Sequence, residues 1–220
     1  MNAPLAQKRI PIREWSRGEE LANSLSHGVG FVAAMIGAPF LIAAAARHPS
    51  IRSYLGMGIF AFTTMLLYFS SAVHHWLRPG KAKDFFEVMD HAAIFLMIAG
   101  SYTPLSLGIL WGPWGWLLMS VIWPLAIFGV LLKSFRGVQH KLFTISLYVL
   151  MGWVIAIAFK PLLAHMPRPG LWLLVAGGLA YTGGLVFYMA RRFPYHHLAW
   201  HIAVLCGTTF HFLAIWRYAL

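Results

Sequence analysis

Residues 22–46 read ANSLSHGVGFVAAMIGAPFLIAAAA, 25 positions without a single Asp, Glu, Lys or Arg. As a helix rising about 1.5 Å per residue, such a run crosses a hydrocarbon layer about 30 Å thick, for which about 20 apolar residues suffice. Working outward from it, the same pattern returns six times. Helices are predicted at about 22–46, 53–76, 87–109, 113–132, 142–159, 170–190 and 198–217. The breaks between them carry turn and breaker residues: Arg47-His48-Pro49, Arg78-Pro79-Gly80, Gly112-Pro113, Arg136-Gly137, Pro167-Arg168-Pro169 and Arg192-Phe193-Pro194. The apolar runs are continuous, without the period-2 alternation of a membrane barrel. No repeat points to an inverted-repeat transporter. The expected fold is an all-α integral membrane protein, with seven transmembrane helices over residues 20–217 and a cytoplasmic tail over 1–19.

Composition narrows the function. The chain is 60% hydrophobic and 10% charged, where soluble domains carry about 25% charged residues. An ordinary soluble domain and a disordered chain are both excluded. Seven spans use up nearly all of the 220 residues, so any chemistry has to be built from the helices and their ends. The net charge of +11 would suggest nucleic acid in a soluble protein. Here the distribution accounts for it, and no nucleic-acid partner is expected. Lys8, Arg9, Arg13, Arg17, Arg78, Lys81, Lys83, Lys133, Arg136, Lys141, Arg191 and Arg192 fall on one side, against Arg47, Arg52, Lys160, Arg168 and Arg217 on the other. The positive-inside rule then puts the N-terminus in the cytoplasm and the C-terminus outside. Cys206 stands alone, which excludes an intrachain disulfide and a multi-cysteine metal site. Gly30, Ala34 and Ala38 on the first helix, and Gly177, Gly178, Gly183 and Gly184 on the sixth, are expected to let helices approach closely. Pro39 and Pro124 are expected to kink theirs.

Polar groups inside a membrane are costly, so they are the informative ones. Glu14, Glu19, Glu20, Asp84, Glu87 and Asp90 are all the acidic residues, and the predicted topology puts every one on the cytoplasmic side. His74 and His75 end the second helix there, Asp90 and His91 open the third, and His197 and His201 open the seventh. These segments are far apart in sequence but share one membrane depth. His197 and His201, at i and i+4, project from one helix face. With a histidine from a neighbouring helix they make a three-nitrogen set with an open fourth position, as in a catalytic zinc site. Asp90 beside it would ligate, bind through water, or hold a ligand imidazole. Taken singly, each of these residues reads as an interfacial or capping side chain; their convergence carries the metal reading. His48, His140, His165 and His211 lie elsewhere and read as structural or interfacial. His197-Leu198-Ala199-Trp200-His201 lacks the Glu of the zinc-peptidase motif. No lysine sits mid-helix for a retinal Schiff base.

At these residues the sequence resembles the hemolysin III family, the bacterial branch of the progestin and adipoQ receptor superfamily, over about 18–217. The matching segments are Glu19 through Gly28, Ser70-Ser71-Ala72-Val73-His74-His75, Asp90 through Phe95, Ile98 through Pro104, and His197-x-x-x-His201. The resemblance implies seven spans with the N-terminus inside. It implies zinc held by His75, His197 and His201, with Asp90 bonded directly or through water. His74 stands where the family often has Tyr. Glu20, Asn23 and His27 lie along one helix face and, with His74, are expected to support the ligands from behind. The wider superfamily is similar to alkaline ceramidases, which hydrolyse a lipid amide with comparable Ser, Asp and His residues.

Three readings follow. The first is a zinc-dependent hydrolase of a lipid amide or ester in the plasma (inner) membrane, serving lipid homeostasis, with membrane lipids or a fatty acid as its partners. Asp90 would position the attacking water and Ser71 the developing oxyanion. The second is a membrane sensor in which zinc ties helices together. The third is a pore-forming cytolysin, as the family name implies.

Overall fold

The computed structural model describes residues 15–137, 141–190 and 192–220. Lys8, Arg9, Arg13, Glu14, His140 and Arg191 lie outside that set. The helices are α1 (Arg17–Arg47), α2 (Ile51–Trp76), α3 (Lys81–Leu107), α4 (Pro113–Arg136), α5 (Lys141–Trp153), a 3-10 turn (Val154–Ala158), α6 (Phe159–His165), α7 (Arg168–Met189) and α8 (His196–Tyr218). Among the described residues there is no strand, and seven helical stretches are long and apolar enough to cross a membrane. The fifth of them is α5, the turn and α6 together.

The helix ends follow local chemistry. Ser16 caps α1: its side chain accepts from the Glu19 backbone N–H, and Glu19 returns a bond to the Ser16 backbone. This capping box starts the helix earlier than the apolar run alone suggests. Ser50 caps α2 by accepting from Ser53. Gly80 and Gly112 take φ values of 151° and 122°, a region other residues avoid, and Pro113 follows at the first position of α4. α1 and α4 continue as helices through Pro39 and Pro124.

A single predicted fifth helix is replaced by a broken one. Pro161 has no amide hydrogen and its ring crowds the carbonyl four residues back, and here the helix loosens into the 3-10 turn over Val154–Ala158. The loosened backbone is satisfied from outside. The Tyr102 hydroxyl accepts from Ile155 N at 3.0 Å and donates toward Met151 O (2.8 Å) and Gly152 O (2.9 Å). Buried backbone groups must be paired, and one side chain of α3 does it here.

α2 packs between α1 and α3, α4 lies against α3, and α7 pairs with α8, which returns along α1. The main core holds Leu41, Met57, Phe60, Phe95, Leu118, Ile122, Met151 and Ile215. Large apolar side chains also cover the outside, Val29, Trp172 and Phe135 among them, as a lipid-facing surface requires. Close approach depends on small residues. A Cβ on Gly30 would meet Leu205 and Tyr68, one on Gly177 His211, and one on Gly184 Ala203 and Trp200. Gly183 faces open space and Gly178 only the Trp153 ring, so of the four α7 glycines two make the α8 contact. The alternation follows from helical geometry, since adjacent residues point about 100° apart.

The α2–α3 seam brings backbone against backbone. A Cβ on Gly56 would stand 2.9 Å from the Pro104 Cα, and backbone cannot swing aside. Gly56→Ala is therefore expected to destabilise the protein by about 1–3 kcal/mol. A lower melting temperature in detergent would register it; an unchanged one would mean the seam is looser than described.

Candidate metal centre

α8 begins abruptly. Tyr195, its N-cap, sits in the left-handed region at φ 55°, a strained place for an aromatic residue. The buried Glu19 carboxylate accepts its backbone N–H at 2.8 Å. Glu19 thus closes the α1 cap with one oxygen and secures the start of α8 with the other, where a negative charge also suits the helix dipole. From that fixed start, His197 and His201 project one turn apart, both buried.

The α2 C-terminus brings His75, 2% exposed, to the same point. One nitrogen each from His75, His197 and His201 lies within 4.8 Å of the other two. The His75–His197, His75–His201 and His197–His201 ring centroids are 5.0, 5.1 and 4.5 Å apart. The surroundings fix which nitrogens face inward. His75 Nδ1 donates to Glu20 Oε2 at 2.6 Å, leaving Nε2 as the acceptor. The Ser26 hydroxyl donates to Asn23 O, so its oxygen is free to accept from His201 Nδ1 at 3.0 Å, with Asn23 O a further acceptor at 3.2 Å. That leaves His201 Nε2. A ligating histidine whose other N–H is held by a carboxylate or carbonyl is the usual support of a metal site.

Whether these residues suit a metal is decided by what they lack. His75 Nε2 and His197 Nδ1 are buried with no hydrogen-bond partner among the described residues. Such groups cost about 1–3 kcal/mol each if left unpaired. A cation shared among three neutral imidazoles answers that need, and three nitrogens from two helices leave a position open for a further ligand. The residues fit a divalent ion.

Asp90, 8% exposed, stands to one side. Its carboxylate groups with His74 and His75, again within 4.8 Å. Ser71 lies beside Asp90, with its Oγ buried. The residues expected to support the ligands are placed unequally. Glu20 touches His75 directly. Asn23 acts through its backbone carbonyl, while its amide group is buried and unpaired. His27 stacks flat on His201, with centroids 3.6 Å apart and planes at 8°; parallel rings cannot direct lone pairs at one ion, so it packs against a ligand without joining the set. His74 meets the His75 ring edge-on at 4.6 Å.

Trp15 is absent from the sequence reading. It stacks on His197 with centroids 4.5 Å apart, lies 5.3 Å from His75, and points its indole N–H at His196. A lone tryptophan before the first helix has no periodicity to mark it. Glu19 has a local signal in Ser16-x-x-Glu19, a capping box, while its hold on Tyr195 has none.

Two cavities meet at this centre. One, of about 120 Å³, is apolar and runs among α3, α5, α7 and α8 past Ile94, Met97, Val149, Leu185 and Val204. The other, of about 130 Å³, is more polar and lined by Trp15, His74, Glu87, Lys141 and His196 among others. Asp90, His91, Tyr188 and His197 border both.

The sequence profile of a family described as haemolysin-III related matches residues 15–212. The chain belongs to this family. It is similar to the Hemolysin-3 homolog of Bacillus subtilis (strain 168), 38% identical over 202 residues that cover 92% of this chain and 95% of that one. Hemolysin-3 of Bacillus cereus is 36% identical over 202 residues, 92% of each chain. The human monocyte to macrophage differentiation factor is 29% identical over 209 residues, 91% of this chain and 84% of that one. Every member of the histidine set falls inside the matched region, as do Trp15 and Glu20.

Proposed function

We propose that the protein is a zinc-dependent hydrolase of a lipid amide or ester, embedded in the plasma membrane with its N-terminus and metal centre toward the cytoplasm. One observation carries this reading: a histidine set fit for a metal stands between an apolar cavity and a more polar one that share Asp90, His91, Tyr188 and His197. An amphipathic substrate matches that division, with its chain among Met97, Val149 and Val204 and its head toward His74 and Lys141. The bond to be broken then lies beside Asp90. Among divalent ions, an all-imidazole set in an apolar setting suits zinc.

Zinc held by His75, His197 and His201 supplies Lewis acidity and a more acidic water. The chain supplies the rest. Asp90 lies outside the three-histidine group, which suits a carboxylate that works through water. It takes the proton of the attacking water and passes it to the leaving nitrogen or oxygen. Ser71 donates its hydroxyl to the oxygen on which negative charge develops. The apolar cavity holds the chain in line and keeps bulk water out.

A structural role for the metal has its own support. α2 and α8 each pack along α1 and make little direct backbone contact, so an ion shared by His75 and His197 would staple them. The name of the Bacillus cereus relative implies lysis. That reading predicts leakage from liposomes containing this protein alone, whereas the enzyme reading predicts that they stay tight.

The deciding experiment offers detergent-purified, zinc-loaded protein a panel of neutral lipid amides and esters and follows fatty acid release. Release that stops on chelation and returns with zinc supports the enzyme. Bound zinc without turnover on any member of the panel would replace it with the structural role.

A further inference from the structure

Lys83 is the third residue of α3, where the helix dipole disfavours a cation and carboxylates are the preferred residues. A residue that breaks a local rule calls for a compensating role. Its ammonium reaches away from its own helix. It donates to Glu20 Oε1 at 2.7 Å, to His74 O at 3.1 Å and to Leu77 O at 3.4 Å, which uses all three of its N–H bonds. The other Glu20 oxygen holds His75 Nδ1 at 2.6 Å. Glu20 therefore has both oxygens committed, one to Lys83 and one to a histidine of the metal set. With side-chain exposures of 17% for Lys83 and 22% for Glu20, the pair is shielded enough for its geometry to matter.

Resting on the metal reading above, we propose that Lys83 is a positioning residue for the metal centre: it fixes the Glu20 carboxylate so that the His75 ring is locked with Nε2 toward the ion. Without it, Glu20 is free to turn on its flexible stem and the His75 ring loses its brace. The chain of contacts runs from α3 through α1 to α2, so the start of the third helix sets the aim of a ligand on the second. A plainer role competes with this one. Lys83 also caps the last carbonyls of α2, which any cation at a helix C-terminus does.

A double-mutant cycle read by zinc affinity separates the two. The full-length protein in detergent competes with a chromophoric chelator for zinc, as wild type, Lys83→Met, Lys83→Arg, Glu20→Gln and the double variant Lys83→Met/Glu20→Gln. Partners behind a ligand are typically worth about 10–100-fold in metal affinity. Lys83→Met is expected to lose about tenfold, at the low end because it acts through Glu20. Lys83→Arg, which keeps the charge, recovers most of that. In the Glu20→Gln background Lys83→Met changes affinity by less than about twofold. Losses that simply add, or a Lys83→Met affinity within about twofold of wild type, overturn the proposal and leave Lys83 as a helix cap. Melting of the metal-free forms reports the cap separately, since that role lowers stability equally in both Glu20 backgrounds. If Lys83→Met does not fold, Lys83→Gln, which still donates to the α2 carbonyls, takes its place under the same two outcomes. Wild type that binds no zinc overturns the metal reading itself; wild type whose zinc is indifferent to Lys83 overturns only the positioning role.

Discussion

Replacing His197 and His201 together by alanine is expected to take the protein from about one zinc per chain to none. The two imidazoles are two of the three nitrogens within mutual reach. His27 lies closest in stacking, but its ring is parallel to that of His201 and its nitrogens do not converge on the same point. Asp90, His74 and His75 form a second candidate group that this variant leaves intact, so zinc kept here but lost in His75→Ala would place the ion there. Elemental analysis of the purified variant checks the result, with His75→Ala beside it. Zinc persisting at one per chain in both would place the ion elsewhere and remove the basis of the proposed chemistry. The helices themselves should survive, because the main core around Phe60, Phe95 and Ile122 does not include these histidines.

Asp90→Asn is expected to lower turnover of the responsive lipid by about 10²–10⁴-fold while zinc stays bound. The amide keeps the shape and cannot take a proton. Its surroundings also tolerate the swap, since Ser71 beside it can donate to an amide oxygen as readily as to a carboxylate. Steady-state rates and metal content measured on one preparation check this. Loss of zinc along with activity would mean that Asp90 ligates the ion. Full activity with zinc retained would show that the proton takes another route, with the Tyr148 and Tyr188 hydroxyls along the cavity the next to test.

How much could be read in advance depended on whether the signal was local. The seven spans were legible because each is a continuous apolar run, and the histidines because helix parity puts the end of α2 and the starts of α3 and α8 on one side. Helix ends were harder. α1 begins at Arg17 because a capping box outweighs polar composition there. The broken fifth span carried a warning in Pro161, yet its repair by Tyr102 is a contact across about fifty residues that no spacing reveals. Trp15 and Lys83 are of the same kind. Each is an unremarkable residue near a helix start, and each matters through what a distant segment brings to it. Glu20 and Asn23 lie beside His75 and His201, but Asn23 meets His201 through its carbonyl, and a helical wheel ranks side chains only.

The order of the chain has a consequence for biosynthesis. Two of the three nitrogens arrive on α8, made after the six spans before it, and Tyr195 at its start is held by Glu19 on α1. While the chain is still emerging, six spans can be in the bilayer and His75 can already rest on Glu20, yet only one donor of the set is present. On the proposed reading, a nascent or truncated chain without α8 would hold no metal. Loading would wait until α8 has met α1 and α2, and any activity that depends on the ion would be withheld from every product that lacks it.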